Sequence, residues 1–138
     1  EIATELRNFV KANQLGFVFT AETGVYLERN PDTVRAADVT FISREKIKSV
    51  DEIDAGFLTV MPDLVVEVVS HPNQLSDALG KIEMWKQAGV GESWLVNVMQ
   101  KTLTVYSNHQ TQTLTEQETL HGTGTLNGFT LPLSTIFS

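Results

Sequence analysis

The order of the predicted elements indicates an α/β fold with a mixed β-sheet. Residues 64–70 form an apolar stretch with strand character, and a helical stretch and a second apolar strand follow it. A strand, a helix and another strand in this order favour a right-handed crossover between parallel strands. The length of 138 residues is typical of one domain, so we expect a single domain over residues 1–138.

The N-terminal half begins with an amphipathic helix that is expected to end between residues 13 and 16. Its apolar residues recur at three- and four-residue spacing: Ile2, Leu6, Phe9 and Val10. Two short strands are expected around a turn at residues 22–24. Residues 34–43 alternate well enough to predict one further strand, and residues 43–61 predict a polar surface connection.

The C-terminal half begins with the central strand at residues 64–70. A helix is expected after Pro72 and should end at Gly89. Its apolar stripe consists of Leu75, Ala78, Leu79, Ile82 and Trp85. Residues 92–107 predict two strands around a tight turn, and one weak strand is expected at residues 112–114 before an apolar tail.

The charge balance bears on the class of partner. The formal net charge is −7 at pH 7, which is evidence against a broad nucleic-acid surface because such binding depends on Lys and Arg. An acidic metal site acting on a phosphodiester stays possible, since a metal ion reverses the local charge. The proportions of apolar and charged residues are ordinary for a globular protein and exclude a disordered chain.

The absence of cysteine rules out disulfides and thiolate metal sites and fits a cytoplasmic protein in a reducing environment. No apolar run approaches the ~20 residues of a membrane span, so we expect no membrane partner. The chain opens directly in helix-like sequence, and we therefore expect that an upstream N-terminal segment is missing from it.

Glu67 is a carboxylate in the middle of the apolar central strand. Ionised glutamates are almost never fully buried without a partner. Glu67 must therefore either point off an edge of the sheet into water or meet a cation inside the protein.

Asp38 is the best candidate for a second acidic group, because it too lies in an otherwise apolar strand. If the two strands are neighbours, Asp38 and Glu67 come within reach of one cation. Oxygen ligands suit Mg²⁺ or Mn²⁺, and the lack of cysteine disfavours zinc. Asp63 shares a strand face with Glu67 but lies about 13 Å from it along the strand, so a structural role is expected for Asp63.

Lys81 lies on the shoulder of the apolar stripe of the predicted helix and is expected to face the sheet near Glu67. It could stabilise negative charge on a phosphate. Lys86 occupies the opposite shoulder, so the helical wheel alone does not choose between them. A structural ion-pair cluster explains the same residues, and Asp77, four residues before Lys81, offers a solvated helix pair.

Three segments together resemble a large bacterial family known as "putative restriction endonucleases", which belongs to the PD-(D/E)XK nuclease superfamily. The segments are "PDLVVEVVS", "SDALGKIEMWKQAGVGESWLVN" and "NGFTLPLSTIF". The resemblance implies a restriction-endonuclease-like αβββαβ core, with a mixed β-sheet flanked by helices. It also implies metal-dependent endonuclease activity that hydrolyses phosphodiester bonds in DNA with Mg²⁺ or Mn²⁺ as cofactor.

The same resemblance implies roles for four residues. Asp38 matches the metal-binding aspartate, and Glu67 matches the acidic residue that follows it in the motif. Val68 stands where the superfamily expects a lysine, and its carbonyl would be a further metal ligand. Lys81 matches a catalytic lysine that has moved from the strand to the helix. The chain departs from the family pattern at Ala37 and at Asn97, where proline and aspartate are common.

Two other hypotheses remain at this point. The acidic balance favours a catalytically inactive nuclease-fold module that binds nucleic acid or protein. A homodimer is also expected to be accessible, through pairing of a strand edge such as residues 102–107.

Overall fold

The computed structural model describes residues 1–20, 24–29, 32–47, 57–58, 60–108 and 110–137, with the backbone alone for residues 24–29, 32–35 and 57–58. The helices are α1 (Ile2–Ala12), α2 (Leu75–Ala88) and α3 (Ser134–Phe137). The strands are β1 (Gly16–Thr20), β2 (Gly24–Arg29), β3 (Asp32–Arg35), β4 (Val39–Ser43), β5 (Phe57–Leu58), β6 (Leu64–Val69), β7 (Glu92–Asn97), β8 (Thr102–Ser107), β9 (Thr111–Thr115), β10 (Thr119–His121) and β11 (Thr130–Pro132).

The main sheet has six strands in the order β1-β4-β6-β7-β8-β9. The strands β6 and β7 are parallel and are joined through α2, whereas the other neighbouring pairs are antiparallel. The predicted α/β class with a mixed sheet is therefore confirmed. The helix α2 also ends as expected, because Gly89 adopts φ 101° at its C-terminus, a conformation that favours glycine.

Apolar side chains of the main sheet are buried on both of its faces. Leu64 and Val66 of β6 join the larger core with α1 and the C-terminal segments. Val65, on the opposite face, packs with Trp85 of α2. The side-chain period of two explains this division, and burial on both faces explains why β6 is almost continuously apolar.

The single strand expected at residues 34–43 is wrong. The chain forms two strands there, and β3 belongs to a separate three-stranded sheet with β2 and β5. Residues 36–38 link β3 to β4, which pairs with β1 and β6. Alternation of apolar residues is the same in both sheets, so it could not show that the chain changes sheet within this stretch.

Two further expectations are corrected. Residues 102–107 form β8, which pairs with β7 on one side and β9 on the other, and so does not offer an edge for a second subunit. β8 is not an edge strand because the weak strand predicted at residues 112–114 forms β9 (Thr111–Thr115) and pairs with β8. Leu79 was placed in the apolar stripe of α2, but it is 42% exposed.

Within the described ranges, no helix has both the length and the apolar character needed to cross a membrane.

Candidate functional site

The structure brings the predicted site residues together at one cleft of about 160 Å³. Asp38 immediately precedes β4, Glu67 and Val68 lie in β6, and Lys81 lies in α2. The remaining lining residues all come from the segment that enters α2 and from its first turn: Gln74, Asp77 and Ala78. Residues that are far apart in the chain therefore meet where β4 begins beside β6.

Glu67 meets a cation inside the protein rather than pointing into water. It is 3% exposed, and its Oε1 lies 3.1 Å from Nζ of Lys81. The indole Nε1 of Trp85 donates a hydrogen bond of 2.9 Å to the other carboxylate oxygen, Oε2. The carboxylate reaches both groups because Glu67 shares its strand face with Val65, which packs against α2.

Burial raises the pKa of Glu67 above its ordinary value, because water stabilises the charged form better than the protein interior does. The hydrogen bond from Trp85 and the positive charge of Lys81 act in the opposite direction. The nearby charge of Asp38 adds a smaller upward effect. Asp38 and Glu67 are therefore close enough to interact electrostatically.

Asp38 contacts the backbone of β6 directly. Its Oδ2 accepts a hydrogen bond of 2.7 Å from the N–H of Val68. This contact forms beyond the end of the β4–β6 pairing, whose last pair is Val39 with Val66. The N–H and C=O of one residue point toward the same side of a strand, so the carbonyl of Val68 also lies on the side of Asp38.

Lys81 connects three parts of the chain. Besides its ion pair with Glu67, its ammonium donates a hydrogen bond of 2.8 Å to the carbonyl of Ala36. Its side chain is 26% exposed, so the ammonium is partly accessible from the cleft. Lys86, the alternative on the helical wheel, is exposed and does not line this cleft.

Trp85 is a member of the site that the sequence did not reveal, because it was assigned only to the apolar stripe of α2. A buried tryptophan usually finds a partner for its N–H. Trp85 is fully buried and lies four residues after Lys81, so both residues reach Glu67 from one side of the helix. This spacing is the signal that could have found it.

Asp63 lies at the opposite end of β6 from the cleft. Its Oδ1 accepts a hydrogen bond of 2.8 Å from the N–H of Ser43 and lies 3.7 Å from Nζ of Lys46. The backbone of Asp63 also bonds to β4 and β7, through Phe41 and Glu92. These contacts hold the starts of β6 and β7 beside the end of β4, which is a structural role.

The predicted donors at the cleft are the carboxylates of Asp38 and Glu67 and the backbone carbonyl of Val68, and Asp77 also lines the cleft. Among the residues that the structure describes, no three His, Cys, Asp or Glu side chains come together as a metal-binding group. A site with few carboxylates that leaves other positions to water and substrate suits Mg²⁺, which keeps several of its waters. The donor set therefore fits an open divalent-cation site and does not fit a closed zinc site.

Comparison with known proteins gives a match to a family and matches to solved structures. The model of the Uma2 family, described as "Putative restriction endonuclease", matches residues 1–134. A crystal structure from Anabaena variabilis ATCC 29413, of "a putative nuclease belonging to DUF820", is 17% identical, with a TM-score of 0.80 over 99% of this chain and 75% of that chain. No curated protein matches significantly.

The structural likeness shows that this chain shares its fold with that putative nuclease, in agreement with the expected fold class. The family model covers nearly all of the chain, including the cleft and every residue that lines it. The chain therefore belongs to the Uma2 family of putative restriction endonucleases.

Proposed function

We propose that this protein is a metal-dependent endonuclease that hydrolyses phosphodiester bonds in DNA. The observation that carries the proposal is the 3.1 Å contact between Lys81 and the buried Glu67, at a cleft that Asp38 also lines. A lysine beside two carboxylates combines a group that attracts phosphate with groups that attract a cation. The chain belongs to a family described as "Putative restriction endonuclease", and this description supports DNA as the substrate.

Asp38, Glu67 and the carbonyl of Val68 would hold Mg²⁺ or Mn²⁺. Each oxygen of Glu67 accepts one hydrogen bond, and an ionised carboxylate has about four lone-pair sites, so capacity for a cation remains. When bound, the cation would polarise a phosphoryl oxygen and lower the pKa of water.

Lys81 and Trp85 have different roles in this proposal. The ammonium of Lys81 offsets negative charge that develops on the phosphate, and its partial exposure lets it approach a group in the cleft. Trp85 has no access to the cleft because it is fully buried. Its hydrogen bond instead holds Glu67 in its orientation and favours the ionised form of the carboxyl.

The test is cleavage of supercoiled plasmid DNA with Mg²⁺, with Mn²⁺ and with EDTA. We expect Glu67→Gln and Lys81→Met each to lower the cleavage rate by about 10²–10³-fold, as expected for loss of a group that stabilises the transition state. Lys86→Met is the matched control, since it removes a lysine from the same helix outside the cleft. Its rate should equal that of the wild type.

Titration calorimetry with Mn²⁺ separates the two roles. Glu67→Gln should weaken Mn²⁺ binding, whereas Lys81→Met should retain it or strengthen it by removing a nearby positive charge. Cleavage that continues in EDTA, or equal cleavage by the wild type and Glu67→Gln, would contradict the proposal.

A non-catalytic nuclease-fold module is the second candidate. It is favoured by the ion pair of Glu67 with Lys81, which balances the buried charge without a metal ion. The acidic net charge of −7 points in the same direction. A folded wild-type protein that neither binds Mn²⁺ nor cleaves plasmid would establish this alternative.

A further inference from the structure

A second cleft, of about 310 Å³, lies beside β1, the first strand in the order of the main sheet. Three cationic residues line it, namely Arg7 and Lys11 from α1 and Arg44 from the end of β4. Two aromatic residues of β1, Phe17 and Phe19, form part of its wall. The term basic cleft is used below for these five residues.

The basic cleft is unusual in an acidic protein. The whole chain has 10 Lys and Arg residues against 17 Asp and Glu, yet three of the ten line this cleft, and among the residues whose side chains the structure describes no acidic one does. In the described part of the chain, none of the three cations is ion-paired with a carboxylate. No described carboxylate therefore balances their positive charge.

The two arginines are held in place by backbone contacts. Nη2 of Arg7 donates a hydrogen bond of 3.2 Å to the carbonyl of Val18, and Nε of Arg44 donates one of 3.1 Å to the carbonyl of Gln14. A guanidinium has five N–H donors, so most of the donors on each arginine remain for a ligand. Arginine groups fixed in this way are suited to phosphate oxygens.

The aromatic residues indicate what else the ligand contains. Phe17 and Phe19 lie two residues apart in β1 and therefore share one face of the strand. Their rings stack with the centroids 6.5 Å apart. The guanidinium of Arg44 lies 5.7 Å from the ring centroid of Phe17. Cations beside aromatic rings are typical of surfaces that bind single-stranded nucleic acid, where phosphates meet the charges and bases meet the rings.

The strand β1 connects the basic cleft with the candidate active site. Thr20 at one end pairs with Val39, the residue after Asp38, and Gly16 at the other end pairs with Ser43, the residue before Arg44. Arg44 follows Asp38 by six residue steps of mostly extended chain, which corresponds to about 20 Å.

We propose that the basic cleft binds the phosphate backbone of an unpaired DNA strand whose neighbouring segment lies at the candidate active site. The inference rests on the proposed function and adds to it a binding surface away from the carboxylates. It also resolves the conflict between a nucleic-acid substrate and an acidic chain, because the positive charge is concentrated where the strand would lie.

The test measures binding of a fluorescein-labelled 20-nucleotide oligothymidine by anisotropy, in EDTA so that metal-dependent binding and cleavage do not contribute. The double variant Lys11→Gln/Arg44→Gln should bind at least tenfold more weakly at low salt. The slope of log affinity against log salt should decrease by about 1.4, from 0.7 per lost phosphate contact on a single strand. The matched control, Lys86→Gln/Lys101→Gln, removes two exposed lysines elsewhere and should keep the wild-type slope.

The single variant Lys11→Gln tests the binding surface with little risk of unfolding the protein, because the Lys11 side chain has no described polar contact to lose. It should reduce the slope by about 0.7 with an unchanged circular dichroism spectrum. Equal slopes for the basic-cleft and control variants would overturn the inference.

Self-association in sedimentation that depends on the basic-cleft residues, with unchanged oligonucleotide binding, would also overturn it and would assign the cleft to a second copy of the chain. Cleft-dependent binding of the matching duplex with higher affinity would overturn the assignment to an unpaired strand.

The outcome is separable from that of the proposed function. Loss of oligonucleotide binding in the basic-cleft variant, in a protein that cleaves nothing, would support the binding surface and refute hydrolysis. Glu67-dependent plasmid cleavage with unaltered binding in the basic-cleft variant would support hydrolysis and refute this surface.

Discussion

Glu67 lies in a strand whose other side chains are apolar, and two groups of α2 make its burial tolerable. An isolated buried carboxylate is strongly disfavoured. The ion pair with Lys81 and the hydrogen bond from Trp85 lower the pKa of Glu67, although burial outweighs them and leaves this pKa raised. Burial and the contacts with Lys81 and Trp85 thus act on the pKa of Glu67 in opposite directions. A carboxyl in such an environment can change its charge in response to a ligand or to pH.

The first prediction concerns stability against pH at this residue. Because the folded protein raises the pKa of Glu67 above 4.5, the unfolded chain releases the proton first as the pH rises. The contribution of Glu67 to the free energy of unfolding should therefore decrease from about pH 4.5 through the folded-state pKa of this residue. Glu67→Gln lacks this carboxyl, so its stability relative to the wild type should increase with pH over that interval.

Urea unfolding of both proteins at several pH values measures the difference. The difference should level off once Glu67 is ionised in the folded wild type. A difference that does not change with pH, or that decreases as the pH rises, would contradict the raised pKa.

At the scale of single elements, the turn from α1 into β1 depends on Gly16. This residue has φ 154°, and a Cβ atom added to it would lie 2.1 Å from the carbonyl oxygen of Ile42 in β4. The close approach lets β1 pair with β4 from its first residue. Both candidate sites depend on this pairing, since Asp38 precedes β4 and Arg44 follows it.

Gly16→Ala should therefore destabilise the protein by about 3 kcal/mol, because the clash is with backbone that cannot rotate away. Gly80→Ala is the matched control. Among the described residues, no atom beyond its chain neighbours and the adjacent helix backbone lies within 4 Å of the position of its added Cβ. Gly80 is inside α2, where alanine should stabilise by up to about 1 kcal/mol. Urea unfolding of the two variants should give changes of opposite sign, and a neutral Gly16→Ala would contradict the argument.

At the scale of the whole molecule, the C-terminal segments complete the larger core. Leu133 is fully buried in the cluster that also contains Leu6 of α1 and Trp94 of β7. The N-terminal helix, the sheet and the C-terminal segments therefore share one apolar interior. We expect them to unfold together, as small proteins with a continuous core usually do.

Leu133→Ala should lower the free energy of unfolding by about 2–5 kcal/mol, the usual cost of removing a buried leucine side chain. Leu79→Ala is the control, because Leu79 is 42% exposed and its truncation should cost less than about 1 kcal/mol. Tryptophan fluorescence and far-UV circular dichroism should give the same midpoint in each variant. Equal costs for the two variants, or separate transitions for the two probes, would contradict a shared core.

The elements that sequence predicted correctly are those with a strong local pattern. Apolar periodicity located α1 and α2, continuous apolar character located β6, and glycine marked the end of α2 at Gly89. Residues 34–43 show where local pattern fails. Both β3 and β4 are extended, so their side chains alternate alike, and only pairing with different partners separates them into two sheets.

The candidate site divides in the same way. The sequence restricted Glu67 to two alternatives, water at a sheet edge or a cation inside the protein, because an unpartnered carboxylate is not buried in an apolar strand. Residue type and resemblance supplied Asp38 and Lys81 as candidate partners. The packing of the elements was needed to show that Lys81 rather than Lys86 reaches Glu67, that Trp85 donates to the same carboxylate, and that Asp38 accepts a hydrogen bond from the N–H of Val68. It alone also gathered three cations of an acidic chain beside β1. These contacts depend on which elements pack together. The residues that meet are far apart along the chain, so no local sequence pattern predicts that they are in contact.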